Sequence, residues 1–292
     1  MKILITGAGG QVGLELQQAK WPEGIELLAY SHHEFDIADE GAIEWKITPS
    51  IGLVVNAAAY TAVDRAETDR EATSRINALA PRLIAQRCAA LNIPLVHVST
   101  DYVFDGAKGA PYVEDDPTTP LNHYGATKLE GERAVRAATK RHVILRTASV
   151  FSAHGTNFVK TMIRLARERS SLKIVSDQAS SPTAASDIAE AIVRIAHRIR
   201  SRSGGELWGT YHFCGGPGVT WYNFAQAIFD VARRRGVAAP ELEPIPADQY
   251  PTTAKRPRFS IMDCSKIQRI MHIDTPLWDA RLPSVVDAIV GR

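Results

Sequence analysis

The period of the apolar residues switches repeatedly along the first 150 positions, and that alternation limits the folds open to the chain. Apolar runs of strand length occupy residues 3–5, 25–29, 53–55, 95–98 and 143–145. Between them, residues 12–19, 38–45, 70–91 and 124–138 carry apolar side chains at helical spacing. Strand, helix, strand repeated in this way predicts an α/β fold, a doubly wound parallel sheet with helices on both faces. Parallel strands buried on both faces read as unbroken apolar runs, as these do.

After residue 151 the texture changes. Helical patterns at 158–168, 186–200 and 222–235 are separated by Gly- and Pro-rich links, notably Gly204-Gly205 and residues 214–218. Short strands are expected at 172–175 and 211–213, and residues 240–257, with five prolines, are expected to be mostly loop. A chain of 292 residues is one large domain or two joined ones. We expect residues 1–150 to form the sheet domain and 151–292 a smaller C-terminal substrate-binding lobe, with some segments returning to the first.

A hydrophobic fraction of 45% supplies a core and excludes a disordered chain. With 34 Lys and Arg against 32 Asp and Glu, the formal charge of +2 gives no electrostatic case for a nucleic-acid or membrane-surface partner. Cys88, Cys214 and Cys264 are odd in number and far apart, without metal-ligand spacing or a disulfide framework. They read as small buried hydrophobes in a reducing compartment. No run approaches the roughly 18–20 apolar residues of a membrane span, and no secretory pattern precedes Thr6-Gly7. The expected location is the cytoplasm.

Three motifs carry chemistry. Thr6-Gly7-Ala8-Gly9-Gly10-Gln11-Val12-Gly13 follows the first strand and opens the first helix. Glycines there let the backbone turn tightly and approach a pyrophosphate, which the free N–H groups of the helix N-terminus stabilise. Alone such a loop is only a strand-to-helix turn; its placement makes it a dinucleotide site on a Rossmann-type sheet. Tyr124-Gly125-Ala126-Thr127-Lys128 puts Tyr and Lys on one helical face. An ammonium beside a phenol favours the phenolate, and the pair then makes a proton donor suited to carbonyl reduction. Without the nucleotide loop upstream, a solvated helix face would be the reading. Ser99-Thr100-Asp101-Tyr102-Val103-Phe104 ends the fourth strand, where open sheets bind ligands and where a hydroxyl can polarise a substrate carbonyl; the bland reading is a capping turn. Asn56-Ala57-Ala58-Ala59 after the third strand offers small residues to a closely pressed cofactor.

Together these motifs resemble the extended short-chain dehydrogenase/reductase family, and within it the dTDP-4-dehydrorhamnose reductases. The likeness runs through residues 10–13, 55–64, 99–104 and 120–132, then Asn157-Phe158, Lys160-Thr161-Met162, Asp177-Gln178 and Pro182-Thr183. It implies a Rossmann domain with a sugar-nucleotide lobe, and hydride delivery from NADPH or NADH to C4 of dTDP-4-dehydro-L-rhamnose. Tyr124 would be the proton donor, Lys128 would hold the nicotinamide ribose, and Thr100, Asp101 and Tyr102 would contact the substrate. Gly7, Gly10, Gln11 and Val12 would meet the pyrophosphate, Asp36 and Ile37 the adenine, and Ala58, Ala59, Tyr60 and Thr61 the far side of the cofactor.

The chain departs from this pattern where the family usually has Arg-Thr-Ser-Trp, reading Arg146-Thr147-Ala148-Ser149, and again at residues 256–262. Ser149 then leaves the pocket wall open, or another ring, Phe158 or Tyr102, covers the sugar. Two other readings stay open: a nucleotide-sugar dehydratase or epimerase, and a non-catalytic NADP-binding regulatory subunit. Thr100 is followed by Asp101-Tyr102, without the second carboxylate that the dehydratases carry. Family members place a metal-linked dimer contact near Glu15; with Ser186 where a partnering Glu is expected, no metal site is predicted, and Mg²⁺ use and a homodimer stay open. The second strand ends Leu28-Ala29-Tyr30-Ser31-His32-His33, with no carboxylate before Glu34 and no Arg nearby in the sequence. Ser31 and His32 donating to a ribose 2′-phosphate predicts a modest preference for NADPH, with NADH usable.

Overall fold

Successive residues of the central strands point to opposite faces of the sheet, and both faces are covered. Ile3, Ile5, Leu53, Val55, Val143 and Leu145 pack against Ile188, Ile192 and Ile195 on one side. Leu4, Val54, Leu95 and Ile144 pack against Ile84, Ala85, Cys88 and Val135 on the other. Each such side chain contributes about 1.5–3 kcal/mol on burial, so a strand that is apolar at every position stays in the middle of the molecule.

The structure, a computed structural model, describes residues 1–201 and 207–291; the expected Gly204-Gly205 link lies outside the described residues. The elements are β1 Lys2–Thr6, α1 Gln11–Gln18, β2 Glu26–Tyr30, α2 Glu40–Lys46, β3 Ile51–Asn56, α3 Val63–Ala66 and α4 Arg70–Ser74. A π-helical turn at Arg75–Leu79 leads into α5 Ala80–Ala90, followed by β4 Leu95–Thr100, α6 His123–Ala138, β5 His142–Thr147, β6 Val150–Phe151 and α7 Phe158–Glu168. Next come β7 Ser171–Val175, β8 Ala179–Ser180, β9 Thr183–Ala184, α8 Ala185–Ser201, β10 Gly209–His212, β11 Val219–Thr220 and α9 Trp221–Arg233. Then follow β12 Glu241–Ile245, α10 Ser265–Met271 and α11 Trp278–Val290.

Six parallel strands form the main sheet in the order β10-β5-β4-β3-β1-β2. The order reverses between β1 and β3, which opens a crevice outside their carboxyl ends. β10 brings residues 209–212 back to this sheet beside β5. A second apolar cluster, with Phe151, Val159, Ile163, Phe224, Ile228, Trp278 and Leu282, joins α7, α9 and α11.

Helix starts follow local chemistry. Asn122, Asn157 and Thr220 each accept a backbone N–H in the first turn of α6, α7 and α9, worth about 1 kcal/mol apiece. Two expectations change. Residues 70–91 are not one regular helix, because the π-helical turn interrupts them. The proline-rich segment 240–257 contains β12, paired in parallel with β7. A two-stranded sheet is all edge, so Pro244 forfeits little by lacking its N–H. Cys214 and Cys264, distant in sequence, share one apolar cluster as free thiols. Among the described residues no helix is long and apolar enough to cross a membrane.

Candidate active site

The glycine loop is fixed by sterics. Gly7 has φ +73°, and a Cβ there would lie 2.7 Å from Ala58 N; a Cβ on Gly13 would lie 2.1 Å from Gly7 O. The loop therefore presses against the small residues after β3 and against its own helix. Gly10 N donates to Gly7 O at 2.9 Å, and Ala8 N donates to Tyr30 O, which sets the end of β2 beside the loop. Gly10 caps α1 without any side-chain hydrogen bond to the first turn, and Gly9 has open space around its missing side chain. A bare helix start beside an open, all-backbone cradle fits a dinucleotide pyrophosphate.

Side-chain bonding narrows how the expected residues can meet a cofactor. Gln11 Oε1 accepts from Ser152 Oγ and from Asn157 Nδ2 at 2.8 Å. That ties the loop to the segment before α7 and leaves the Gln11 backbone, with Val12, for phosphate. Ile37 is 5% exposed within the core, so its side chain is spent on packing. Asp36 accepts from Ala38 N and from Arg75 Nη2 at 2.7 Å. The arginine absent from the β2 sequence thus arrives from the π-helical turn. Ser31 N and Oγ both donate to Glu34 Oε2, so the Ser31 hydroxyl proton is already committed to a carboxylate.

Ala58, Ala59, Tyr60 and Thr61 follow β3. Asn56 holds the start of this run by accepting from Thr6 Oγ1 at 2.7 Å and from Ala58 N. Asn77, from the π-helical turn, grips Tyr60 on both sides of its backbone: Tyr60 N donates to Oδ1 at 2.8 Å and Nδ2 donates to Tyr60 O at 3.0 Å. Sequence reasoning missed Asn77; its signal was a lone carboxamide amid apolar neighbours.

Tyr124 and Lys128 share the buried face of α6, at 8% and 2% exposure. A Cβ on Gly125 would fall 2.2 Å from Tyr102 O, so the residue after Tyr124 has to be glycine for α6 to reach the end of β4. Lys128 Nζ donates to Val98 O at 2.7 Å. Burial pulls the Lys128 ammonium down to about 8, against the opposing charge of Glu132 one turn on. Glu132 itself is held at about 2: burial raises it, but Arg146 grips both of its oxygens and Ser99 donates at 2.6 Å.

The Tyr124 phenol moves in the opposite direction from the sequence expectation. Burial pushes it up to about 12, a hydrogen bond with Thr100 opposing and the Asp101 charge adding to the rise. Burial outweighs any pull of the Lys128 ammonium on the phenol. Thr100 Oγ1 donates to Asp101 Oδ1 at 3.0 Å and accepts from Tyr102 N. Thr100 thus links the Asp101 carboxylate to the Tyr124 phenol.

Tyr102, Ser149 and Asp101 lie together. The Tyr102 ring stands edge-on to Tyr124, with centroids 5.7 Å apart. Beyond them opens a cleft of about 900 Å³ lined by Thr61, Asp64, Tyr102, Phe158, Trp221 and Arg256, among others. Phe158 and Tyr102 both face it, as one sequence reading supposed. The aromatic that reading missed is Trp221, packed on Phe158 at 4.8 Å. Arg256, bonded to Asp64 at 2.6 Å, closes the wall. Glu15 faces His154 at 3.7 Å, and Glu190 pairs with Arg281. Among the described residues no three His, Cys, Asp or Glu gather as a metal site.

The chain is similar to known proteins over nearly its whole length. The family described as "RmlD substrate binding domain" matches residues 1–290. A dTDP-4-dehydrorhamnose reductase of Sinorhizobium fredii is 39% identical, over 99% of this chain and 98% of its own length. A crystal structure of a dTDP-4-dehydrorhamnose reductase from Clostridium acetobutylicum superposes with a TM-score of 0.91 at 33% identity, covering 99% of this chain and 100% of that one. Another, from Bacillus anthracis in complex with NADP, gives 0.90 at 32% identity, covering 97% and 98%.

Proposed function

The chain belongs to the RmlD substrate-binding-domain family, that of the dTDP-4-dehydrorhamnose reductases, and from this membership we propose that it reduces the C4 carbonyl of dTDP-4-dehydro-L-rhamnose to dTDP-L-rhamnose with NADPH. It is an NAD(P)H-dependent oxidoreductase by family. The observation that carries the reading is a buried, protonated Tyr124 beside Thr100, its ring edge-on to Tyr102, which lines a cleft of about 900 Å³.

Bound along the glycine loop, NADPH supplies the hydride. The protein's residues do the rest. Gly7, Gly10 and the backbones of Gln11 and Val12 hold the pyrophosphate, Asp36 and the Ile37 backbone border the adenine, and Ala58 to Thr61 line the far side. Lys128, charged below about 8, holds the nicotinamide ribose. Tyr124 gives its proton to the carbonyl oxygen as charge develops there; a phenol that stays protonated at neutral pH is a donor and not a base. Asp101, Tyr102 and Ser149 border the sugar, with Trp221 and Arg256 opposite. In this reading residues 1–150 serve mainly the cofactor and 151–292 mainly the sugar nucleotide.

The NADP complex of the Bacillus anthracis relative supports NADPH as cofactor; NADH is taken as usable too in this reading. A cytoplasmic location completes the reading. The test is NADPH oxidation on adding dTDP-4-dehydro-L-rhamnose, with dTDP-L-rhamnose identified as product. Turnover is expected. Tight NADPH binding without oxidation would instead make the chain a non-catalytic, cofactor-binding subunit.

A further inference from the structure

Off the main cleft lies a side pocket of about 90 Å³, bordered by Asp101, Ser149, Ser180, Ser260 and Gln178. Tyr102, Trp221 and Arg256 border both spaces, so the side pocket opens where a sugar would sit. A water molecule's share of the liquid is about 30 Å³, so the pocket suits a polar substituent rather than a ring.

Its hydroxyls are ordered by one buried carboxylate. An ionised Asp101 only accepts. Ser260 Oγ donates to Asp101 Oδ2 at 2.5 Å, Ser180 Oγ donates to the same atom at 3.5 Å, and Thr100 Oγ1 donates to Oδ1. Ser149 Oγ donates in turn to Ser180 Oγ at 2.8 Å. Every hydroxyl proton therefore runs inward, and the outermost oxygen, Ser149 Oγ, turns its lone pairs to the pocket. Ser149 is held there at φ +45°, a left-handed conformation that few non-glycine residues adopt.

We infer that this pocket receives a hydrogen-bond donor of the sugar, the hydroxyl on the ring carbon beside the carbonyl, and that Ser149 Oγ accepts from it. The inference rests on the cleft being a keto-sugar site. Asp101 borders the pocket and is bonded by Thr100, which also bonds Tyr124; the entering group is accordingly placed, in this inference, on the carbon next to the carbonyl. In a 4-keto-6-deoxy hexose one neighbouring carbon bears a hydroxyl and the other a methyl, and only the hydroxyl donates. A methyl there would strip serine lone pairs of solvent without replacement.

The test titrates the NADP⁺-loaded enzyme calorimetrically with dTDP-L-rhamnose and with its 3-deoxy analogue. The wild type is expected to bind the hydroxylated sugar about tenfold more tightly, the scale of one net hydrogen bond. Ser149→Ala should bring that ratio to about one. Ser149→Gly should do the same while keeping or raising the melting temperature, because glycine accepts the left-handed backbone without strain. That separates loss of the hydroxyl from loss of the fold. Equal binding of the two sugars by the wild type, or a tenfold ratio kept in both variants, overturns this inference alone. Failure of both sugars to bind overturns the functional reading and this inference with it.

Discussion

The two sides of the active site are held by different forces. On the cofactor side, Gly7 and Gly13 sit where a single added carbon would meet backbone, and Tyr124 and Lys128 are one helical turn apart with Gly125 wedged against Tyr102. On the substrate side, Asp101, Ser149, Ser180 and Ser260 come from separate segments and are joined through side-chain hydrogen bonds, while Trp221 packs on Phe158 and Arg256 bonds Asp64. Backbone sterics leave no alternative residue, whereas a hydrogen-bonded wall can exchange one side chain for another at modest cost. The chemistry is thus fixed on one side, and the choice of sugar is open to change on the other.

Gly13→Ala should break the rigid side hardest. Its Cβ cannot be placed without moving Gly7; we expect a stability loss of about 1–3 kcal/mol and NADPH affinity lower by about 10²-fold. Gly9→Ala, with open space around it, should stay within about 0.5 kcal/mol of wild type in a thermal melt. Equal effects from the two would remove the steric basis of the comparison.

Lys128→Met comes next, lowering both NADPH affinity and kcat about tenfold, because one ammonium serves both. In the wild type, kcat/KM should fall above pH about 8 as Lys128 loses its proton. It should also fall below about 6 as Asp101 gains one, the carboxyl having been raised by burial against the hydroxyls of Ser260, Thr100 and Ser180. Tyr124, Arg256 and Cys214 face the same neighbourhood, and none has an ordinary pKa near 6. In stability the Asp101 sign is the reverse: its folded pKa exceeds the unfolded one, so its contribution is full at low pH and lost as pH rises through about 6. Asp101→Asn should erase the acid limb of activity and leave the alkaline one.

The smallest effect concerns cofactor choice. Glu34 is bound by Ser31 at the end of β2, and Arg75 pairs with Asp36 further on. Glu34→Gln removes the negative charge and should raise the NADPH-over-NADH ratio of kcat/KM about threefold, on the scale of an exposed charge pair. A ratio that falls instead would mean that Glu34 does not border the 2′ position.

The same contrast governs what could be read before any coordinates. The sheet, the glycine loop and the Tyr-Lys pair were legible because each is written in neighbours: a strand run, a three-residue glycine spacing, four positions of one helix. Trp221, Ser180, Ser260 and Asn77 were not, because nothing local marks a tryptophan at a helix start or a serine in a short strand as facing a site. Ser149 was legible only as a departure from a family pattern, and its partners appear only once β8 lies beside it. The sign of the Tyr124 shift was missed for a related reason: spacing reveals that Lys128 is near, but the degree of burial, which decides the outcome, is a property of the whole fold.

The central claim is that Tyr124 does chemistry while the far wall only holds the sugar, and a paired measurement of kcat and KM tests it. Tyr124→Phe and Trp221→Ala are compared with wild type under saturating NADPH and varied dTDP-4-dehydro-L-rhamnose. The account predicts that Tyr124→Phe loses about 10²–10⁴ in kcat with KM nearly kept. It predicts that Trp221→Ala raises KM about thirtyfold with a far smaller change in kcat, the usual scale for a buried aromatic anchor. Near-normal kcat in Tyr124→Phe, or a loss in Trp221→Ala that falls on kcat and spares KM, would contradict it.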